Sequence, residues 1–336
     1  MVALTVQVDN DRGTQVNVND AFGSFQNAVN VPAGPLKTAR QRRDVFKSGL
    51  GGQADVDEVL PSGSLARGTH KDPINDVDVV VIYDESDHPG WGVPGDSAQE
   101  ALSYTGSQIN TVLGATSGTH AREVRLASPR NHAVKCFLDD PDDDNGFTVD
   151  AMPALRRAGV LLVPEAKNRT WVETNPKHLI AQVAARHAEW NKYAGTVRML
   201  KRWASDQDIK IKSLVMEVLA LHYLPTDTNR PAALKEFFHK AWDHVNNGYN
   251  VEDPAGLCGV IQRDLALDAF RERLAKARDL SNNAFRAQAR SNTALAIGYW
   301  RELFGDDFPK PPSDGGNPVV VPPVLPPHKV KDTPQG

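Results

Sequence analysis

The sequence predicts an α+β fold, with a sheet in its first half and helices in its second. Three observations carry that expectation. The run Asp76-Val-Asp-Val-Val-Val-Ile-Tyr83 is dense in β-branched and apolar residues and reads as a buried strand. Short strand-like runs recur as far as residue 172. From Pro176 onward apolar residues return at helical spacing instead. At 336 residues the chain can bury a substantial core, in one two-lobed unit or two domains.

In order along the chain, residues 35–50 place Lys37, Arg40, Arg42, Arg43 and Lys47 around apolar Leu36, Ala39, Val45 and Phe46, a basic amphipathic helix. Two roles are open to it, a wall of a ligand cleft or a solvated surface helix, and the second weighs more. Gly63-Ser64 opens a turn ahead of the strand just described. A polar loop punctuated by Pro and Gly over 84–95 leads to a helix over 97–113. Strand-like runs follow near 122–126, 133–138 and 147–151, and two shorter ones, 160–163 and 169–172, close the sheet. Helices are then expected over 176–191, 193–205, 212–224, 232–246, 258–280 and 283–304. On the second of these Val197, Leu200 and Trp203 are core candidates, while Arg198 and Lys201 share an exposed stripe. Ser213 opens the third as its N-cap. The final 28 residues hold nine of the 23 prolines, so a flexible, extended tail is expected there.

The chemistry gathers around Asp76 and Asp78. Side chains alternate across a strand, so the two carboxylates share a face. Held that close they repel, and a cation between them relieves the cost. Hard oxygen ligands suit Mg²⁺, which bridges a few carboxylates and substrate phosphates. Gly63 permits close backbone approach, and the Ser64 amide and hydroxyl can donate to phosphate oxygens. Asp150, in Phe147-Thr-Val-Asp150, ends the second strand of a hairpin and supplies a third acid. Three acids on adjoining strands fit an in-line displacement assisted by two metals. The set proposes a metal-dependent enzyme that transfers a nucleotide.

Other features weigh against competing functions. The acidic run Asp139, Asp140, Asp142, Asp143, Asp144 lacks the spaced ligands and terminal Glu of a calcium loop, and Asn145-Gly146 mark it as a hairpin turn. A net charge of −4 argues against a protein that coats nucleic acid, although a local basic cleft is compatible with it. Cys136 and Cys258 stand far apart without a partner motif, which suits a reducing cytoplasm. No run of apolar residues is long enough to span a membrane, and the amino terminus lacks the pattern of a signal peptide.

Gly-Ser, the following Gly68-Thr69, Asp-x-Asp on a hydrophobic strand and a later lone Asp together resemble the polymerase-β-type nucleotidyltransferase superfamily. In the second half, Val197-Arg-Met-Leu-Lys201-Arg-Trp203, Ser213-Leu-Val-Met-Glu217, Val251-Glu-Asp-Pro254 and Tyr299-Trp300 with Phe304-Gly-Asp-Asp-Phe-Pro309 resemble the bacterial CD-NTases. These are relatives of cyclic GMP-AMP synthase and oligoadenylate synthase that make signalling nucleotides in CBASS antiphage defence. The resemblance implies a nucleotidyltransferase core over residues 1–175, a helical lobe over 176–308 that completes the cleft, and a disordered Pro-rich tail over 309–336. It implies that Asp76, Asp78 and Asp150 are catalytic and hold Mg²⁺, with Mn²⁺ as an alternative. Gly63, Ser64, Lys201 and Ser213 would bind the donor nucleotide, ATP or GTP, with capping an equal role for Ser213. The implied product is a cyclic di- or trinucleotide read by a downstream effector, made in the cytoplasm without a stable nucleic-acid or membrane partner. Some CD-NTases are joined to other molecules through their C-terminal residue, a role Gly336 could take with an accessory conjugation enzyme. One departure stands out. Relatives often carry an aromatic residue after the serine, to stack on the base, whereas this chain has Leu214. Remaining alternatives are a linear oligonucleotide, transfer to RNA or a protein hydroxyl, and, outside enzymes, a non-catalytic nucleotide-binding regulatory module.

Overall fold

The structure is a computed structural model and describes residues 17–312. Two helices, α1 (Val18–Val29) and α2 (Ala33–Gly51), lead into a segment of strands and helices: β1 (Val56–Ser62), α3 (Gly63–Arg67), β2 (Asp76–Tyr83), α4 (Ser97–Leu113), β3 (Leu126–Pro129), β4 (Val134–Phe137), β5 (Thr148–Arg157), β6 (Val160–Glu165) and β7 (Thr170–Thr174). Six helices follow: α5 (Pro176–Glu189), α6 (Tyr193–Ser205), α7 (Ser213–Tyr223), α8 (Arg230–Asn246), α9 (Leu267–Ala289) and α10 (Thr293–Phe304).

The strands form one mixed sheet in the order β1-β2-β5-β4-β3, with β6 beside β5 and β7 beside β6. Only β2 and β5 run parallel, and the other ladders are antiparallel. β5 is long enough to pair with β4 through its first half and with β6 through its second. One face of the sheet buries Val77, Val79, Val81, Val149 and Cys136 against Phe46 and Leu50 of α2 and Leu102 and Ile109 of α4. The opposite face has a small apolar cluster, Val80, Ile82, Ala154, Leu161 and Val163. Its upper end carries the acids.

The helices build a separate core around Phe237, Phe270, Trp300 and Phe304, and α1 belongs to it rather than to the sheet. Phe22 and Phe25 of α1 pack on Trp300, Phe304 and Phe308, with ring centroids 5.1 Å apart for Phe22–Trp300 and 4.8 Å for Phe25–Phe304. This packing crosses the division expected between residues 175 and 176.

Several expected elements move. α1, β1 and the helical turn α3 were not among them. β1 has a register shift between Val56 and Glu58 and carries Pro61, so its alternation is broken. The strand expected at 122–126 begins at Leu126. Asp150 lies near the start of β5, not at its end. The helix expected from Cys258 begins at Leu267, because the Asp253 carboxylate accepts from the amides of Ala255, Leu257 and Cys258 and fixes a loop there. Asn283 lies inside α9, and the break falls instead at Ser291, whose φ is 58°, with Asn292 capping α10. The Pro-rich tail beyond residue 312 and the attachment proposed at Gly336 lie outside the described residues.

Candidate active site

Pairing brings the three acids together. Asp78 stands opposite Asp150 in the parallel β2–β5 ladder, and Asp76 stands opposite Thr148. Partners in register point to the same side of a sheet, so all three carboxylates share one face. The row through Asp78 continues to Ser62 of β1 on one side, and to Lys135 and Ser128 of β4 and β3 on the other. A polar line thus crosses five strands of the sheet.

Gly63 fits against this line as no other residue could. Its φ is +68°, and a Cβ built on it would lie 1.6 Å from Asp78 Oδ2. The backbone of the Gly63-Ser64 turn therefore lies directly against the carboxylate. A cleft of about 420 Å³ opens beside it, lined by Gly63, Ser64, Asp76, Asp78, Lys201 and Ser213 among others. Asp150 adjoins Asp78 but does not line this cleft. A larger hollow of about 750 Å³ lies between α2 and β1, lined by Lys47, Asp57 and Glu58, and holds none of the expected residues. The smaller cleft instead gathers Gly63, Ser64, Asp76, Asp78, Lys201 and Ser213, and is the candidate site.

Burial pushes the half-buried Asp78 carboxyl up to about 7, and the neighbouring Asp76 and Asp150 push it the same way. Burial also raises Asp150, against the pull of Lys135. Asp150 Oδ1 is buried and accepts no hydrogen bond among the described residues. Arg67, His70, Lys71, Lys201 and Glu217 line the same cleft. Burial, together with Arg198, Lys201 and Arg40, lowers His70 to about 4, so its imidazole is neutral near pH 7.

Lys201 differs from its expected place. It is 4% exposed, not part of an exposed stripe, and its Nζ donates to Thr69 O at 3.0 Å and Glu217 Oε1 at 2.9 Å. Its companion Arg198 donates to Gly68 O. Ser213 is the first residue of α7 rather than its cap, since Lys212 holds the cap position and its amide donates to Gln262 Oε1. Leu214 lines the cleft and packs on the helical core. The basic residues of α2 do not line the cleft, with Arg42 held by Asp139 and Arg43 by Asp44. The acidic run is a hairpin loop between β4 and β5, in which Asp140 and Asp143 accept from the amides of Asp142 and Asn145.

The donor set suits Mg²⁺. Its oxygens are hard, one of them lacks a donor, and the carboxylates crowd each other. Among the described residues no three His, Cys, Asp or Glu side chains are placed to hold a metal ion by themselves, so an ion here would need further oxygens from water or substrate phosphate.

No family model matches the chain. Among curated proteins, cyclic AMP-AMP-AMP synthase of Escherichia coli (strain MS 115-1) is 24% identical over 326 residues, covering 84% of this chain and 95% of that protein. Cyclic AMP-AMP-GMP synthase of Enterobacter hormaechei is 25% identical, covering 74% of each. Among solved structures, E. coli CdnC with ATP matches with a TM-score of 0.66 at 21% identity, covering 88% of this chain and 99% of that one. The CD-NTase CdnG of Bradyrhizobium diazoefficiens, in complex with GTP, matches with a TM-score of 0.62 at 12% identity, covering 86% and 95%. These relatives and structures support membership of this chain in the CD-NTases. Its fold is the polymerase-β-like one of that family, a mixed sheet with a helical C-terminal part. The sequence assigned no role to Arg67, Thr69 or Glu217, which meet in a cluster at the wall of the cleft. The signal was present at Glu217, a lone carboxylate on a helix whose neighbours Val215, Met216, Val218 and Leu219 are all buried and apolar.

Proposed function

We propose that this chain joins NTPs into a cyclic di- or trinucleotide second messenger with release of pyrophosphate. The observation that carries the proposal is the close seat of Gly63 against Asp78, with Asp150 in register beside it and cationic groups lining the same cleft. The Gly63-Ser64 turn, Lys201 and Ser213 orient the donor triphosphate, so that its α-phosphorus faces the acids. Asp150 lies toward the acceptor side and takes the proton of the attacking ribose hydroxyl. The hydroxyl oxygen bonds to the α-phosphorus as the bond to pyrophosphate breaks. Asp76, Asp78 and Asp150 would hold Mg²⁺, which when bound neutralises charge building on the phosphoryl and leaving oxygens. Repetition of the step on the turned-over product closes the ring.

The two curated relatives with named products make trinucleotides containing adenosine, which favours ATP as a substrate and a ring of three. A downstream effector in antiphage signalling and a cytoplasmic setting belong to the same reading. E. coli CdnC is known in a complex with a HORMA protein, and a protein activator of this kind fits here too. Among the described residues no helix is long and apolar enough to cross a membrane.

Incubation of the pure chain with labelled NTPs and Mg²⁺, resolved by mass, tests the proposal. Pyrophosphate and a phosphatase-resistant cyclic product are expected, and chelation should abolish both while the fold persists. A phosphatase-sensitive ladder, or label found only on added RNA, would overturn it.

A further inference from the structure

Glu217 is 1% exposed, yet it accepts from three side chains in two lobes. Arg67 Nε donates to Oε2 at 2.7 Å, Thr69 Oγ1 donates to Oε2 at 2.8 Å, and Lys201 Nζ donates to Oε1 at 2.9 Å. Arg67 and Thr69 belong to the segment that begins with Gly63-Ser64, and the Thr69 amide donates back to Ser64 O at 3.0 Å. Lys201 belongs to α6. One carboxylate therefore fastens both halves of the phosphate grip.

The stoichiometry gives this fastening a direction. An ammonium has three N–H donors, and two of those on Lys201 point inward, to Glu217 and to Thr69 O. The third is left for the cleft that Lys201 lines. Two cations share one carboxylate, so the cluster has a surplus of one positive charge beside the acids. Stability alone does not account for such a cluster, since well-packed apolar residues commonly do as well as a buried ion pair. Orientation accounts for it.

We propose that Glu217 is the positioning residue of the donor-phosphate grip, aiming Lys201 from the helical lobe and setting the Gly63–Thr69 turn from the sheet lobe. Glu217 adjoins the cleft, but its oxygens are taken up by Arg67, Thr69 and Lys201, so it acts through them. The proposal rests on the reading of this cleft as an NTP site.

The experiment is a titration of a non-hydrolysable ATP analogue and of AMP against wild type, Glu217→Gln, Lys201→Met and the double variant. Glu217→Gln should weaken the analogue about ten- to a hundredfold while changing AMP little. In the Lys201→Met background most of that effect should vanish, leaving only what passes through the turn. Equal losses for the analogue and AMP, or a full effect persisting without Lys201, would overturn the positioning role. Thr69→Val removes one hydrogen bond from Glu217 without stranding a charge, and serves if Glu217→Gln does not fold. It should raise the KM for ATP several-fold with kcat held, and an unchanged KM would count against the proposal. A wild-type protein with no preference for the analogue over AMP would bring down the reading of the cleft itself, and the proposal with it.

Discussion

At Gly63 one methyl group decides the outcome, because the site lacks both the backbone freedom and the space for it. Alanine there would meet Asp78 Oδ2 at 1.6 Å and hold a left-handed φ, which costs about 1–3 kcal/mol before any movement of Asp78. Gly63→Ala should therefore lower the melting temperature and remove product together, measured by thermal denaturation and by pyrophosphate release. Asp78 makes a separate prediction about pH. Its folded carboxyl stands near 7, raised by burial and by Asp76 and Asp150, so the native state keeps a proton that the unfolded chain has already released. Stability from this group is then greatest in acid and falls as pH rises from the ordinary carboxylate value to about 7. Asp78→Asn should abolish product yet melt higher than wild type without metal at pH 8, with the gap closing toward pH 4. A constant gap across that range would show that Asp78 is not the titrating group.

At the scale of elements, β2 and β5 align the acids by register, and the β4–β5 turn adds little. The acid-rich β4–β5 turn is held by its own Asp-to-amide bonds and by the Arg42–Asp139 pair. Replacing Asp140, Asp142 and Asp143 with Asn should change turnover by less than about twofold and produce no calcium-dependent heat in calorimetry, as expected for exposed turn residues. Asp139→Ala gives up the Arg42 fork and the bond from the Phe147 amide and should cost about 1 kcal/mol. Much of this was readable beforehand, because Val77 to Tyr83 carries its strand pattern locally and 97–113 its helical one. β1 was not readable, since a bulge and an edge proline hide its period. The pairing of Asp78 with Asp150 is a long-range register, and spacing in the chain could suggest only their proximity. The inward turn of Lys201 also escaped, because its partner Glu217 lies on another helix and a periodic pattern does not record which face meets which neighbour.

Across the whole molecule, a chain of net charge −4 still gathers Arg67, Lys71 and Lys201 in its cleft, so overall acidity and local attraction for phosphate coexist. The aromatic cluster of Phe22, Phe25, Trp300, Phe304 and Phe308 holds the helical lobe together. Phe308→Ala should cost about 3–5 kcal/mol in denaturant unfolding, and Phe22→Ala a similar amount, with less than additive loss in the double variant. Additive losses would mean that the two rings do not share a core.

That cluster also orders events during synthesis. The sheet and its two covering helices occupy an unbroken stretch of chain and can fold as they leave the ribosome. The helical lobe cannot, because α1 emerges early and must wait for Phe304 and Phe308, nearly the whole described chain later. Lys201 and Ser213 face the acids only once that lobe has closed. A nascent chain therefore carries its three carboxylates from Asp150 to Phe308 with half of the candidate donor grip still unformed, and an unfinished copy would lack a complete cleft.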